Sequence, residues 1–271
     1  MVKSLLLALL VFLLPLSATA RDIGEAELQQ IAGLIFHNEC AARESCLTSW
    51  NEGEQFASLG IGHFIWYPAG SEKPFSESFP ALLLFMEQQG VTLPGWLSDH
   101  PTRPNPWPDR SHFMAASQSA SLSELRQLLI ETKSVQAQFM LLRFEQALPD
   151  LLAGLNGDRE QHIRKQFERV AKSPMGMYAL IDYVNFKGEG SNPKERYHGK
   201  GWGLLQVLEH MQGRDAGLEA IEAFADSADM MLTRRVSLSP AERNESRWLS
   251  GWRKRLSTYV AEARALLEQA E

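Results

Sequence analysis

Glu39, Glu52 and Ser58, followed at once by the turn Gly60-Ile61-Gly62-His63, gather two carboxylates, a hydroxyl and a glycine-rich bend into one short stretch of chain. Cleavage of a glycosidic bond asks for such a set. One carboxylic acid protonates the leaving oxygen while a second carboxylate activates water or attacks the sugar. A helix end against an apolar wall disfavours the charged form of a carboxyl and so suits Glu39 to the acid's role. Glu52, in the polar run Trp50-Asn51-Glu52-Gly53-Glu54, suits the ionised partner, with Glu54 as its alternative. Ser58 is placed to orient water, and Gly60 and Gly62 let backbone come close to a saccharide. His63 is expected to close the turn and anchor it to the helix.

Elements to hold these groups are legible on either side. Leu28, Ile31, Leu34 and Ile35 recur at helical spacing, so an amphipathic helix runs from Glu25 and ends near Glu39. From Phe56 to Tyr67 the β-formers Phe64, Ile65, Trp66 and Tyr67 surround Gly60 and Gly62, which reads as strand and turn. Cys40 and Cys46 are the only two cysteines, and a disulfide between them would shape the chain just after Glu39. Its loop is short, so its contribution to stability is about 2 kcal/mol or less. Two cysteines leave zinc short of ligands, and no metal or other cofactor is expected.

Further on, five prolines and two tryptophans between Thr92 and His112 make regular structure improbable there. Ser121-Leu122-Ser123-Glu124 has the spacing of a capping box, and the segment from Gln136 to Leu152 is helical in pattern. Ser173-Pro174 signals the start of a largely apolar helix that stops at Gly188. Ser239-Pro240-Ala241-Glu242 signals the start of a C-terminal helix bearing Arg243, Arg247, Arg253, Lys254 and Arg255. Between the last two helices lies a glycine-rich loop with Tyr197 and Trp202. Their rings offer flat faces for sugar stacking or, equally, pack into the core, and Glu189 or Glu195 could meet amino sugars. Phosphate-loop spacing is absent.

The ends and the charge narrow the class. Lys3, an apolar run from Leu5 to Leu16 and Ala18-Thr19-Ala20 read as a signal peptide over residues 1–20, with a single two-lobed domain over 21–271 and a periplasmic or secreted destination. The net charge is −6, and loss of Lys3 takes it to about −7, which argues against nucleic acid and anionic membrane surfaces as partners. An anionic wall polymer would have to be recognised by local contacts.

At Glu39 and over Glu52 to His63 the chain resembles the phage-type lysozymes, the endolysin muramidases. Their pattern is a helix-terminal Glu, a loop carboxylate or cysteine, five residues, then Thr-x-Gly-x-Gly-His. Here five residues separate Glu52 from Ser58-Leu59-Gly60-Ile61-Gly62-His63, and Ala179 to Phe186 looks like the family's buried central helix. The resemblance implies an α+β, mainly helical lysozyme-like fold, with a small β-lobe and a larger helical lobe around a cleft. It implies a peptidoglycan-cleaving muramidase with Glu39, Glu52 and Ser58 as catalytic residues. Read from the residues themselves, Glu54, Gly60, Gly62, His63, Tyr197 and Trp202 are the candidate contacts with the polysaccharide. Three departures stand out. The twelve residues between Glu39 and Glu52 exceed the family's usual gap, glutamate replaces aspartate, and serine replaces threonine. A lytic transglycosylase, a chitosanase, and a non-catalytic saccharide-binding or envelope-assembly protein are the alternatives.

Overall fold

A computed structural model describes residues 23–98, 104–153, 155–193 and 195–269. The expected signal peptide therefore lies outside the described residues. The chain is mainly helical with a small antiparallel sheet, an α+β arrangement. Among the described residues no helix is long and apolar enough to cross a membrane.

Helix α1 (Glu25–Cys40) buries Leu28, Ile31, Ala32 and Ile35 along one face. It ends where Ala41 turns left-handed at φ 47° and donates its N–H to the carbonyl of His37, so Glu39 stands in the last turn. The Cys40–Cys46 disulfide closes the following loop. A 3-10 turn over Glu44–Leu47 then leads into strands β1 (Thr48–Ser49), β2 (Ala57–Leu59) and β3 (Phe64–Trp66), paired antiparallel in that order. Ser58 sits opposite Ser49 on one side and Ile65 on the other, in the middle of the sheet.

Helix α2 (Phe79–Gln88) packs on β3, and the proline-rich stretch follows. Among the described residues that stretch holds one four-residue helix, α3 (Gly95–Ser98), and is otherwise irregular as expected until α4 (Arg110–Ala115) begins at its end. Trp107 anchors it. It is buried, meeting Trp66, Trp96 and Phe113 edge-on at centroid distances of 6.2, 5.9 and 5.2 Å, which ties the segment to the sheet.

Helices α5 (Ala120–Glu131) and α6 (Lys133–Leu152) come next, and α6 lies along α1. Ser119, not Ser121, caps α5 by accepting from the N–H of Leu122 at 3.2 Å. With serines at 117, 119, 121 and 123, sequence spacing alone does not single out the cap. The polar helix α7 (Gly157–Ala171) leads to α8 (Gly176–Lys187), whose residues from Gly176 to Tyr183 are all buried. This helix starts after the Ser173-Pro174 signal. Ser173 instead donates its hydroxyl to the carbonyl of Arg169 and accepts from the N–H of Gly217. Gly176 fits against the end of α7, where a Cβ would lie 1.8 Å from the carbonyl oxygen of Val170. The expected stop at Gly188 is present, at φ 80°.

A hairpin of β4 (Arg196–Tyr197) and β5 (Lys200–Gly201) precedes α9 (Leu204–His210), α10 (Leu218–Leu238) and α11 (Ser246–Glu268). Ser239-Pro240 ends α10 instead of opening the last helix. The chain turns through Ala241–Arg243 first, and α11 begins after Glu245. Glu245 is held there by Arg235 at 2.7 Å and by the Tyr197 hydroxyl at 2.8 Å. Helices α10 and α11 pack along each other, and α11 also covers α8.

Candidate active site

Glu39 is brought by α1, Asn185 by α8, Arg255 by α11 and His63 by the turn after β2. Asn185 donates to Oε1 of Glu39 at 2.9 Å, and Arg255 approaches the same oxygen to 2.5 Å. The other oxygen, Oε2, faces Nδ1 of His63 at 3.6 Å. The Glu39 side chain is 12% exposed and that of His63 39%, so the carboxylate is largely shielded.

Arg255 is anchored from behind by Asp182, which has no exposed surface. Asp182 accepts from Nε and Nη2 of Arg255, both at 2.7 Å, from the hydroxyl of Tyr259 at 2.6 Å and from Asn38 at 3.3 Å. Tyr178 adds a hydroxyl that accepts from Asn38 at 2.8 Å and meets Thr258 at 2.7 Å. Burial by itself pulls the Arg255 guanidinium down, but the hydrogen bonds and charge of Asp182, with the charge of Glu39, outweigh it and hold the group above its ordinary value. Burial first and the Asp182 carboxylate second push the Tyr259 and Tyr178 phenols up. The buried charge is thus fully paired, which makes it tolerable in a low-dielectric core.

A cleft of about 490 Å³ opens beside this cluster, walled by Gly62 and Phe64 from the sheet, Met140, Arg143 and Phe144 from α6, and Ile181, Asn185 and Glu189 from α8 and its exit. Asn185 links the two features, since it lines the cleft and donates to Glu39.

The second carboxylate falls out differently from the first. Glu52 is exposed at the tip of the loop beside Gly53, which has φ 83°. Glu54 is half-buried and organised. Its backbone carbonyl accepts from the Trp50 indole at 2.9 Å, and its Oε2 accepts from Asn51 at 3.1 Å and from the hydroxyl of Ser58 at 3.5 Å. Ser58 therefore pairs with Glu54.

The glycine turn has an internal explanation. Gly60 adopts φ 69°, and a Cβ there would lie 2.3 Å from Oε1 of Gln136, a fully buried amide that accepts from the N–H of Ile61 at 2.9 Å. A Cβ on Gly62 would lie 2.6 Å from the Phe64 ring. Both glycines let the turn close down on α6 and its own strand, and Gly62 then faces the cleft.

Tyr197 and Trp202 belong to another cluster. Their rings lie 4.8 Å apart, and the Arg235 guanidinium stacks over Trp202 at 4.2 Å. The Tyr197 hydroxyl is engaged by Glu245 and by Arg243 at 2.6 Å. Trp202 is 7% exposed, so packing occupies the surface that stacking on a sugar would use. Glu189 lines the cleft, and Glu195 packs against Gly188.

Sequence reasoning passed over Asp182, Arg255, Asn185 and Lys187. Arg255 stood among five basic residues of one helix, and the clue lay in the helical phase that puts it beside Tyr259 on the inner face. Lys187 ends α8 with its ammonium 3.9 Å from the centre of the Phe186 ring and 3.6 Å from that of Trp252. Burial, with the cations of Arg235 and Arg255, pushes it down to about 7.

Cys40, Cys46 and His63 form the one group of potential metal ligands among the described residues, their ligand atoms within 4.8 Å of one another, but the two sulfurs are joined to each other. Fold and site together define a mainly helical α+β protein with a paired, mostly buried carboxylate linked through Asn185 to a cleft. No protein-family model matches the chain, and neither does any curated protein or solved structure.

Proposed function

We propose that the chain is an exported, lysozyme-like glycoside hydrolase that cleaves an amino-sugar polymer, peptidoglycan in the first place, with Glu39 as general acid. The observation that carries the reading is the division of labour on Glu39. Oε1 is saturated by Arg255 and Asn185, while Oε2 is turned toward His63 with no hydrogen bond of normal length. A proton on Oε2 is thereby aimed by a fixed carboxyl, and fixed orientation is the larger part of what a general acid needs. The cleft beside Asn185 is where a saccharide would lie.

Glu54 takes the role of second carboxylate in this reading, with the hydroxyl of Ser58 on the central strand directed at it. Glu52 is the weaker candidate because no neighbour orients it. In a hydrolytic turn, Glu39 donates to the glycosidic oxygen and Glu54 accepts a proton from water as that water attacks the anomeric carbon. Arg255 holds one oxygen of Glu39 in a shielded ion pair, which commits that oxygen to structure. This one contact favours a second reading, a saccharide-binding protein without turnover.

Digestion of purified peptidoglycan, followed by mass spectrometry of the fragments, tests the proposal. Hydrolysis adds one water per bond cut, whereas a lytic transglycosylase adds none and leaves an anhydro end. Turnover of chitosan alone would point to a chitosanase. Cleavage that survives Glu39→Gln sinks the assignment, and tight muropeptide binding by the wild-type chain with no product supports the binding protein.

A further inference from the structure

We propose that reduction of the Cys40–Cys46 disulfide converts the loop after α1 into a zinc site formed by the two thiolates and Nε2 of His63. The three ligands come from three separately anchored places: the buried end of α1, the 3-10 turn at Glu44–Leu47, and the turn after β2. Their ligand atoms already lie within 4.8 Å of one another, and Nε2 of His63 is 4.0 Å from Sγ of Cys46. Ligand atoms around a tetrahedral zinc ion, with bonds of about 2.3 Å to sulfur and about 2 Å to nitrogen, stand roughly 3.5–4 Å apart. The two sulfurs must separate to reach that spacing, and breaking their bond frees them to do so. The Cα atoms, 5.4 Å apart, stay with the helix end and the turn.

A second observation concerns the far side of the ring. Nδ1 of His63 faces Oε2 of Glu39 at 3.6 Å. A histidine bound to zinc through one nitrogen commonly donates from the other to a carboxylate, which fixes its tautomer and orientation. Glu39 stands where that carboxylate belongs, and it is itself fixed by Arg255 and Asn185. The imidazole is thus set with Nε2 toward the sulfurs. A water molecule completes four ligands.

The chemistry balances with a dithiol as reductant. Two electrons and two protons pass to the disulfide, giving two cysteine thiols and a cyclic disulfide of the reductant. Zinc then displaces both thiol protons. With only two cysteines in the chain, no other thiol competes for the bond or for the metal. Resting on the hydrolase reading, the zinc form would commit Oε2 of Glu39 to the His63 N–H and so withdraw the acid. Metal binding itself is independent of that reading.

The experiment titrates the untagged full-length secreted chain with zinc against a chromophoric chelator, once oxidised and once reduced by a phosphine under anaerobic conditions. The reduced chain should take up about one equivalent and the oxidised chain none at the same concentrations. Cys46→Ser and His63→Ala should each weaken uptake by at least about tenfold. Cobalt in place of zinc should give a thiolate charge-transfer band that depends on both cysteines. Near-ultraviolet circular dichroism follows the fold throughout. The proposal is overturned by equal uptake in the two redox forms, by unchanged affinity in His63→Ala, or by a reduced chain that loses its tertiary signal and does not regain it with zinc. Cell-wall cleavage by the oxidised, metal-free chain tests the hydrolase reading separately.

Discussion

Arg255 bridges Glu39 and Asp182 with a single nitrogen, Nη2, which lies 2.5 Å from Oε1 of the first and 2.7 Å from Oδ1 of the second. The exposed-edge carboxylate is thereby braced against a fully buried one, and α1, α8 and α11 meet at one guanidinium. Removing one partner strands the others. Asp182→Ala leaves Arg255 and the Tyr259 hydroxyl short of an acceptor, and it should cost about 3–5 kcal/mol of unfolding free energy. Asp182→Asn keeps the volume but reverses half of the hydrogen bonding, so a similar loss is expected. Urea denaturation of both variants measures it, and a cost below about 1 kcal/mol would show that the bridge contributes little.

Local signals were legible: the apolar stripe of α1, the strand character around Gly60 and Gly62, the Gly188 stop and the cysteine pair all depend on residues close in sequence. Arg255 and Asp182 are 73 residues apart, and nothing in the spacing of either announces the other. The helix starts slipped where two signals competed, as at Ser119 and Ser121, or where tertiary partners took the cap residue, as at Ser173. Helix α10 carries its stripe in Ile221, Phe224, Met231 and Leu232 but opens after Gly217 with no capping side chain, so no start signal marks it. The same separation explains the site. Glu39 could be singled out from its helix end, while the Ser58–Glu54 contact depended on how the intervening loop curls around Trp50.

Gly60→Ala should be far more damaging than Gly53→Ala, although both glycines have positive φ. At Gly53, φ 83°, no atom lies near a new Cβ, so the cost is the conformational penalty alone, about 1 kcal/mol. At Gly60 the new methyl also displaces Oε1 of Gln136 and breaks its bond to Ile61, so a loss of about 2–4 kcal/mol is expected. Thermal or urea unfolding of the two variants side by side decides it, and equal costs would contradict the role given to Gln136.

Lys187 makes stability depend on pH above neutrality. Burial, then the cations Arg235 and Arg255, push its ammonium down to about 7, against the partial support of Glu245 and Glu39. In the unfolded chain it holds its proton to about pH 10. Between those values the unfolded state binds the extra proton, so unfolding free energy rises with pH through that window. Below about pH 7 both states are protonated and the contribution is flat. The Phe186 and Trp252 rings attract the cation and offset part of the cost. Lys187→Met should therefore lose the rise, with the wild-type chain gaining up to about 4 kcal/mol over the variant between about pH 7 and pH 10. Parallel denaturation curves for the two chains across that range would rule out the shift.

The loop from Trp50 to Glu54 yields the sharpest comparison for activity. If Glu54 activates water, Glu54→Gln should lower the cleavage rate by about two to four orders of magnitude, the range for loss of a general base. Glu52→Gln, at an exposed tip, should leave the rate within about twofold. Stability separates the chemical role from a structural one. Glutamine at 54 can still accept from Asn51 and Ser58 through its carbonyl, so its unfolding free energy should change by less than about 1 kcal/mol. Ser58→Ala removes the hydroxyl but not the carboxylate, and a smaller rate loss is expected from it than from Glu54→Gln. The reverse pattern, an inactive Glu52→Gln beside an active Glu54→Gln, would return the second carboxylate to the loop tip and require that loop to fold inward over the bound saccharide.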